Sequence, residues 1–210
     1  MKIELDNVTK KIKKTTILDS ISYTFEGGKI YGLSGKNGSG KTMIMRIISG
    51  LVHPTYGEVL INNKILGVDF SFPPSIGVLI NHPVFLREYT GYENLKILNS
   101  IKENKINDNQ IKDLLLKVGL DSEDKRKYYK FSLGMRQRLG VAAAIMGNPD
   151  IILLDEPINA IDENGVKDIK DIIKALVSEN RIIIIACHDK EELTFMADEI
   201  IYISEGKIVC

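Results

Sequence analysis

Gly35-Lys36-Asn37-Gly38-Ser39-Gly40-Lys41-Thr42 sets glycines, a lysine and a hydroxyl at the spacing G-x-x-x-x-G-K-T. That pattern suits one chemistry. Glycines let the backbone wind until successive N–H groups point at phosphate oxygens, and a helix opening at the lysine adds its positive end. Lys41 then reaches the β- and γ-phosphates, and the Thr42 hydroxyl is left to ligate Mg2+, which neutralises charge on the bridging oxygens. Gly35 through Thr42 are therefore the candidate residues for binding a nucleoside triphosphate.

A second group lies further along. Ile151-Ile152-Leu153-Leu154-Asp155-Glu156-Pro157 is an apolar run that ends in two adjacent carboxylates. In an α/β sheet the carboxyl ends of strands are where ligands sit. Two neighbouring acids can divide the work: Asp155 holds Mg2+ through its water shell, and Glu156 polarises the water that attacks the γ-phosphate. His188 follows another apolar run, Ile182 to Cys187, and so falls at the same edge. By spacing alone, His188 is equally a γ-phosphate donor or a half-buried polar tip. His53 and His82 read as structural.

These groups need a scaffold that brings strand ends together. Residues 1–30 alternate in strand fashion and predict an antiparallel layer, with a turn at Glu26-Gly27-Gly28-Lys29. Lys29 to Leu33 is a strand leading into the glycine loop, and Met43, Ile44, Ile47, Ile48 and Leu51 follow with helical period. Glu58 to Leu66 predicts a hairpin about Asn62-Asn63, and Ile76 to Ile80 is an apolar run of the buried-strand type. From Tyr92 to Leu120 the period is helical, interrupted by a polar loop at Glu103 to Asn109. Leu133 to Met146 predicts a helix capped by Ser132. A helical face at Val166, Ile169, Ile172, Ile173, Leu176 and Val177 precedes the Ile182 strand. A short helix at Glu191 to Met196 and a hairpin around Glu205-Gly206 close the chain. Strand and helix alternate, so the expected class is α/β with a mainly parallel sheet.

Composition excludes several classes. The 210 residues are 44% hydrophobic and 27% charged, ordinary for a globular chain and contrary to disorder or a disulfide scaffold. Lys plus Arg number 28, as do Asp plus Glu, so no net field draws the protein to nucleic acid or anionic lipid. The basic runs Lys10 to Lys14 and Lys125 to Lys130 read as solvated surface. No apolar run is long enough to span a bilayer, and acids at Glu4 and Asp6 stand where a secretion signal needs apolar residues. Cys187 and Cys210 lack metal or redox spacing; the expectation is reduced thiols, one a buried filler and one a terminal bystander.

Phe131-Ser132-Leu133-Gly134-Met135-Arg136-Gln137-Arg138-Leu139, shortly before the Asp155-Glu156 strand, resembles the signature loop and helix of the ATP-binding cassette ATPases. Asn159-Ala160-Ile161-Asp162 resembles that family's dimer-contact loop, and His188 falls at its switch-histidine position. The likeness runs from Ile3 to the terminal hairpin. It implies one ATPase domain over 1–210: a RecA-like parallel core, an N-terminal antiparallel β layer, and a helical signature subdomain at about 85–147. It also implies two cassettes facing head to tail, with ATP clamped between the phosphate loop of one and Ser132 and Gly134 of the other. Ser132 at a helix start, with open N–H groups behind it, is a ready anion site, and it serves equally as a simple cap.

Three positions depart from the family pattern. Asn81 stands where Gln is usual among the Mg2+ contacts, one methylene shorter. Leu133 and Met135 replace a glycine and a glutamine. Ile12 stands where an aromatic ring commonly stacks on adenine, which leaves apolar contact and relaxed base selectivity.

The signature, with Ile76 to Pro83 and Thr90 to Leu95, is most similar to cassettes of bacterial exporters for peptide antibiotics such as bacitracin and lantibiotics. The resemblance implies a cytoplasmic ATPase held at the inner face of the cell membrane by a separate permease. Phe85 and Tyr89 are either its contact or core. The alternative is a soluble cassette that clamps nucleic acid or the ribosome, against which the charge balance speaks. A slow ATP-gated switch, suggested by Asn81 and Ile12, is a third reading.

Overall fold

The computed structural model describes residues 1–209, and Cys210 lies outside the described residues. The chain opens with two long strands, β1 (Lys2–Ile12) and β2 (Thr15–Glu26), paired antiparallel. With β4 (Tyr56–Ile61) and β5 (Lys64–Ile65) they form a four-stranded sheet in the order β2-β1-β4-β5. Asn62 and Asn63 join β4 to β5 with φ of 49° and 64°, the left-handed pair that a two-residue hairpin loop requires.

The second sheet has six strands in the order β10-β9-β3-β8-β7-β6. Its members are β3 (Lys29–Ser34), β6 (Ile76–Leu79), β7 (Ile151–Asp155), β8 (Ile182–Ala186), β9 (Glu199–Ser204) and β10 (Lys207–Val209). All pairings are parallel except that of β9 with β10. Because side chains alternate across a strand, this sheet feeds two cores. Tyr31, Leu33, Ile184 and Leu153 join one side, together with the antiparallel sheet and the buried face of α1 (Lys41–Ile48). Ile30, Ile183, Ile152 and Leu154 join the other, under the remaining helices.

Those helices are α2 (Gly91–Ser100), α3 (Asp108–Lys117), α4 (Leu133–Ile145), α5 (Glu163–Ala175) and α6 (Lys190–Met196). Thr90 and Asn107 cap α2 and α3 with reciprocal side-chain to backbone bonds to Glu93 and Gln110. Helix α4 is buried on more than one side, against β6 and β7 and against α2 and α3, which is why its apolar residues show no single face. No helix among the described residues is long and apolar enough to cross a membrane.

The strand at Ile76 is an edge strand, with Gly77 and Leu79 buried and Ile76 and Val78 half-buried, and not the fully buried one expected. Its contact with α4 is backbone on backbone: a Cβ at Gly77 would lie 1.6 Å from the Ala144 carbonyl oxygen. Gly77→Ala is expected to cost about 3 kcal/mol, since neither partner is a movable side chain. Urea unfolding at constant slope measures it; a cost under ~1 kcal/mol would mean that α4 lifts freely off the sheet edge.

Two helix boundaries also moved. Helix α3 starts at Asp108, so Asp108 and Asn109 leave the loop, while α5 stops at Ala175 with Leu176 and Val177 beyond it. Phe85 packs edge-on to Tyr128 at 5.4 Å, whereas Tyr89 is exposed. Lys125, Arg126 and Lys127 pair with Glu123, Asp124 and Glu93, so the second basic run is an ion-paired surface.

Candidate functional site

Register brings the chemical groups to one edge. Leu33 of β3 and Asp155 of β7 both pair with Ala186 of β8, so three strands end side by side. The glycine loop leaves β3 there, Glu156 follows Asp155, and Cys187-His188 follows Ala186. A cleft of about 820 Å³ opens over this edge, lined by Asn37 to Thr42, Asn81, His82, Gln137, Asp155, Glu156, Asn159 and His188, with Ile17, Met43 and Arg46 at its side.

The loop is pinned both from within and from outside. Ser39 N donates to the Lys36 carbonyl at 3.1 Å, and Gly206 N donates to the Ser39 carbonyl at 3.0 Å. Gly40 opens α1 at φ 114°, and a Cβ there would meet the Leu18 side chain at 2.6 Å, so the position admits only glycine. Lys41 is buried, and its ammonium donates to the carbonyls of Gly35 at 2.6 Å and Lys36 at 3.2 Å. Among the described residues it has no carboxylate partner. The Ser39 hydroxyl is buried without a hydrogen bond. A buried cation and an orphaned hydroxyl are costly unless an acceptor arrives, and a phosphate tail is such an acceptor.

Thr42 Oγ1 donates to Asp155 Oδ2 at 2.7 Å, setting a hydroxyl and a carboxylate oxygen together at the start of α1. Hard oxygen donors of this kind suit Mg2+. Asn81 lines the same cleft with φ 60°, a left-handed conformation that Asn tolerates better than most side chains.

Glu156 is also left-handed, at φ 53°, which for a non-glycine residue costs roughly 1–2 kcal/mol. Three hydrogen bonds hold it there. Its N–H donates to the Ala186 carbonyl at 2.8 Å, while its own carbonyl accepts from Gln137 Nε2 at 2.6 Å and Asn159 N at 3.2 Å. The carboxylate is thereby turned toward His188, with Oε2 2.8 Å from Nδ1. His188 is mostly exposed, leaving its other ring nitrogen unengaged by this contact.

Not every expected site residue reaches the cleft. Ile12 ends β1 on an exposed turn and does not line it; Ile17, five residues on, does. Ser132 and Gly134 lie outside the lining. The Ser132 hydroxyl accepts from Met135 N at 3.2 Å as the cap of α4, and a Cβ on Gly134 would meet the Ala160 carbonyl at 2.7 Å, so the start of α4 abuts the turn at Ala160. His82, read from the sequence as structural, lines the cleft. Gln137 and Arg138 went unassigned. Arg138 donates to the Val118 carbonyl and to Asp162 Oδ1, both at 2.9 Å, tying α4 to the end of α3 and the cap of α5. Gln137 could have been noticed as an uncharged polar residue inside an apolar helix; Arg138 gave no such signal.

The profile of the family described as ABC transporter matches residues 18–159. This chain belongs to the ABC transporter family. It is 50% identical over 206 residues to the uncharacterized ABC transporter ATP-binding protein YybJ of Bacillus subtilis (strain 168), covering 98% of this chain and 94% of YybJ. It is 36% identical to the lantibiotic transport ATP-binding protein SrtF of Streptococcus pyogenes, over 99% of this chain and 89% of SrtF. With the bacitracin transport ATP-binding protein BcrA of Enterococcus faecalis it shares 38% identity, over 99% of this chain and 68% of BcrA. Among solved structures, the dimeric post-hydrolysis state of the ATP-binding cassette MJ0796 bound to ADP and Pi superposes with a TM-score of 0.89. Identity there is 26%, covering 99% of this chain and 97% of the other. The fold is thus that of an ABC cassette, and the ABC protein described here is an ATP-binding, ATP-hydrolysing transporter subunit.

Proposed function

We propose that this ABC ATPase works as a single domain that hydrolyses ATP with Glu156 as general base, as half of a two-cassette sandwich driving a separate permease. The observation behind the site assignment is the convergence of buried Lys41, the Thr42–Asp155 pair and the Glu156–His188 pair on one sheet edge. Lys41 exchanges the Gly35 and Lys36 carbonyls for the β- and γ-phosphates, and loop amides from Gly35 to Thr42 cradle the tail. Mg2+, held by Thr42 with Asp155 and Asn81 around it, would neutralise phosphate charge. Glu156 takes the proton of the attacking water, and His188 donates from its free nitrogen to the γ-phosphate.

Ser132 and Gly134 lie outside their own cleft, which supports their serving the cleft of a second copy or a related cassette. The dimeric form of MJ0796 is the precedent. The names of SrtF and BcrA support export of a peptide antibiotic, with the cassette at the inner membrane face through its permease. The test is ATP-dependent resistance of a sensitive host that expresses this chain with its permease. Resistance to bacitracin or a lantibiotic supports the reading; salt-sensitive retention of RNA or DNA, without resistance, points to the nucleic-acid clamp instead.

No Phe, Tyr or Trp ring lines the cleft among the described residues, and base–ring stacking is worth about 1–3 kcal/mol where it occurs. We therefore expect GTP to compete with ATP within about tenfold, a gap of ~1.4 kcal/mol. Competition against a fluorescent nucleotide measures it, and a preference for ATP of several hundredfold would place a ring on the base after all.

A further inference from the structure

Cys187 has no part in the reaction above, yet it sits beside two groups that do. Its sulfur, a carboxylate oxygen of Glu156 and a ring nitrogen of His188 all lie within 4.8 Å of one another. We propose that Glu156, Cys187 and His188 form a site for a thiophilic divalent cation of the zinc class, and that filling it stops ATP hydrolysis.

The donor set itself is selective. One sulfur, one nitrogen and one oxygen make a borderline-soft triad of the kind that holds Zn2+ or Cd2+ with a fourth position open to water. Mg2+ demands oxygen and does not compete for it. The Thr42 and Asp155 oxygens are not among these donors.

The three donors are also held in place. Glu156 is fixed by the backbone bonds that hold its left-handed turn, and Oε2 already faces His188 Nδ1 at 2.8 Å. Cys187 is buried at the end of β8, so its sulfur has little freedom to turn away. Burial pushes its thiol up to about 11, so the metal-free site carries a neutral thiol, and an arriving cation displaces that proton to solvent. A bound cation occupies the carboxylate that the water proton needs and the imidazole nitrogen facing it. Inhibition, as distinct from binding, rests on the proposed role of Glu156.

Cadmium titration of the full chain tests the site, read by the thiolate-to-metal absorption band in the ultraviolet. Cys210→Ser removes the other thiol. We expect one equivalent of Cd2+ with a thiolate band in the Cys210→Ser chain, and binding weakened at least about tenfold by Cys187→Ala or Cys187→Ser on that background. His188→Asn alters an exposed side chain, so it keeps the test open should the buried substitutions fold poorly; it is expected to weaken binding similarly. Zn2+ should inhibit turnover in saturating Mg2+ and ATP, with each variant compared to its own metal-free rate, and Cys187→Ala should resist it. No thiolate band in Cys210→Ser, or equal binding after the Cys187 and His188 substitutions, overturns the site. A band with unchanged turnover keeps the site but overturns the inhibition, and with it the role given to Glu156.

Discussion

Glu156→Gln is expected to bind ATP as the parent chain does and to turn it over about 10²- to 10⁴-fold more slowly. The substitution is nearly isosteric. The bonds that hold the left-handed backbone run from the Glu156 N–H to Ala186 and from Gln137 and Asn159 to the Glu156 carbonyl, and none uses the side chain. The amide therefore occupies the carboxylate's place beside His188 without a proton-accepting charge. Binding is set elsewhere, by the glycine loop and Lys41, so affinity should persist. Chemistry blocked with binding intact should also trap the clamped state, seen as an ATP-dependent dimer on size-exclusion chromatography. Phosphate release at saturating ATP measures the rate. Parent-like turnover would remove the proton-accepting role from Glu156 and leave His188 as the next group in reach.

The parts of this site written as local strings were legible. G-x-x-x-x-G-K-T states its own loop and the helix after it, and an apolar run ending in Asp155-Glu156 states a strand and its end. What brings them together was legible only as topology: parallel strands share a carboxyl edge, and the pairing of Leu33 and Asp155 with Ala186 realises it. Pairings between distant residues were not legible. Gln137 meets the Glu156 carbonyl 19 residues on, and Arg138 meets Asp162, 24 residues on; nothing in the helical pattern of α4 names either partner.

Edge and centre were likewise indistinguishable for β6, because Ile76 to Ile80 is apolar throughout while only Gly77 and Leu79 are buried in the strand. The period of α5 ran past its end for a similar reason. Apolar spacing continues to Val177, but the Leu176 and Val177 N–H groups turn back to the Ile173 and Lys174 carbonyls and close the helix. Ile12 shows the same limit in the site: a family position marked it for the base, while the turn at Lys13, with φ 53°, leaves it exposed and Ile17 on the cleft wall.

The second large effect concerns Lys41. Lys41→Ala is expected to weaken ATP binding by at least about a hundredfold, the loss of two charge-assisted hydrogen bonds at ~1.5–3 kcal/mol each. Without nucleotide the ammonium is buried against two neutral carbonyls, so its desolvation is only partly offset. Truncation removes that uncompensated charge. The thermal midpoint of the nucleotide-free chain should therefore hold or rise while affinity collapses. That opposition separates a ligand-binding lysine from a structural one, whose loss would lower both. Calorimetric titration with Mg2+ and ATP, beside thermal unfolding of the same sample, reads the two together. An unchanged dissociation constant would show that the triphosphate lies elsewhere, and a lowered midpoint with intact affinity would make Lys41 a brace for the Gly35–Lys36 turn.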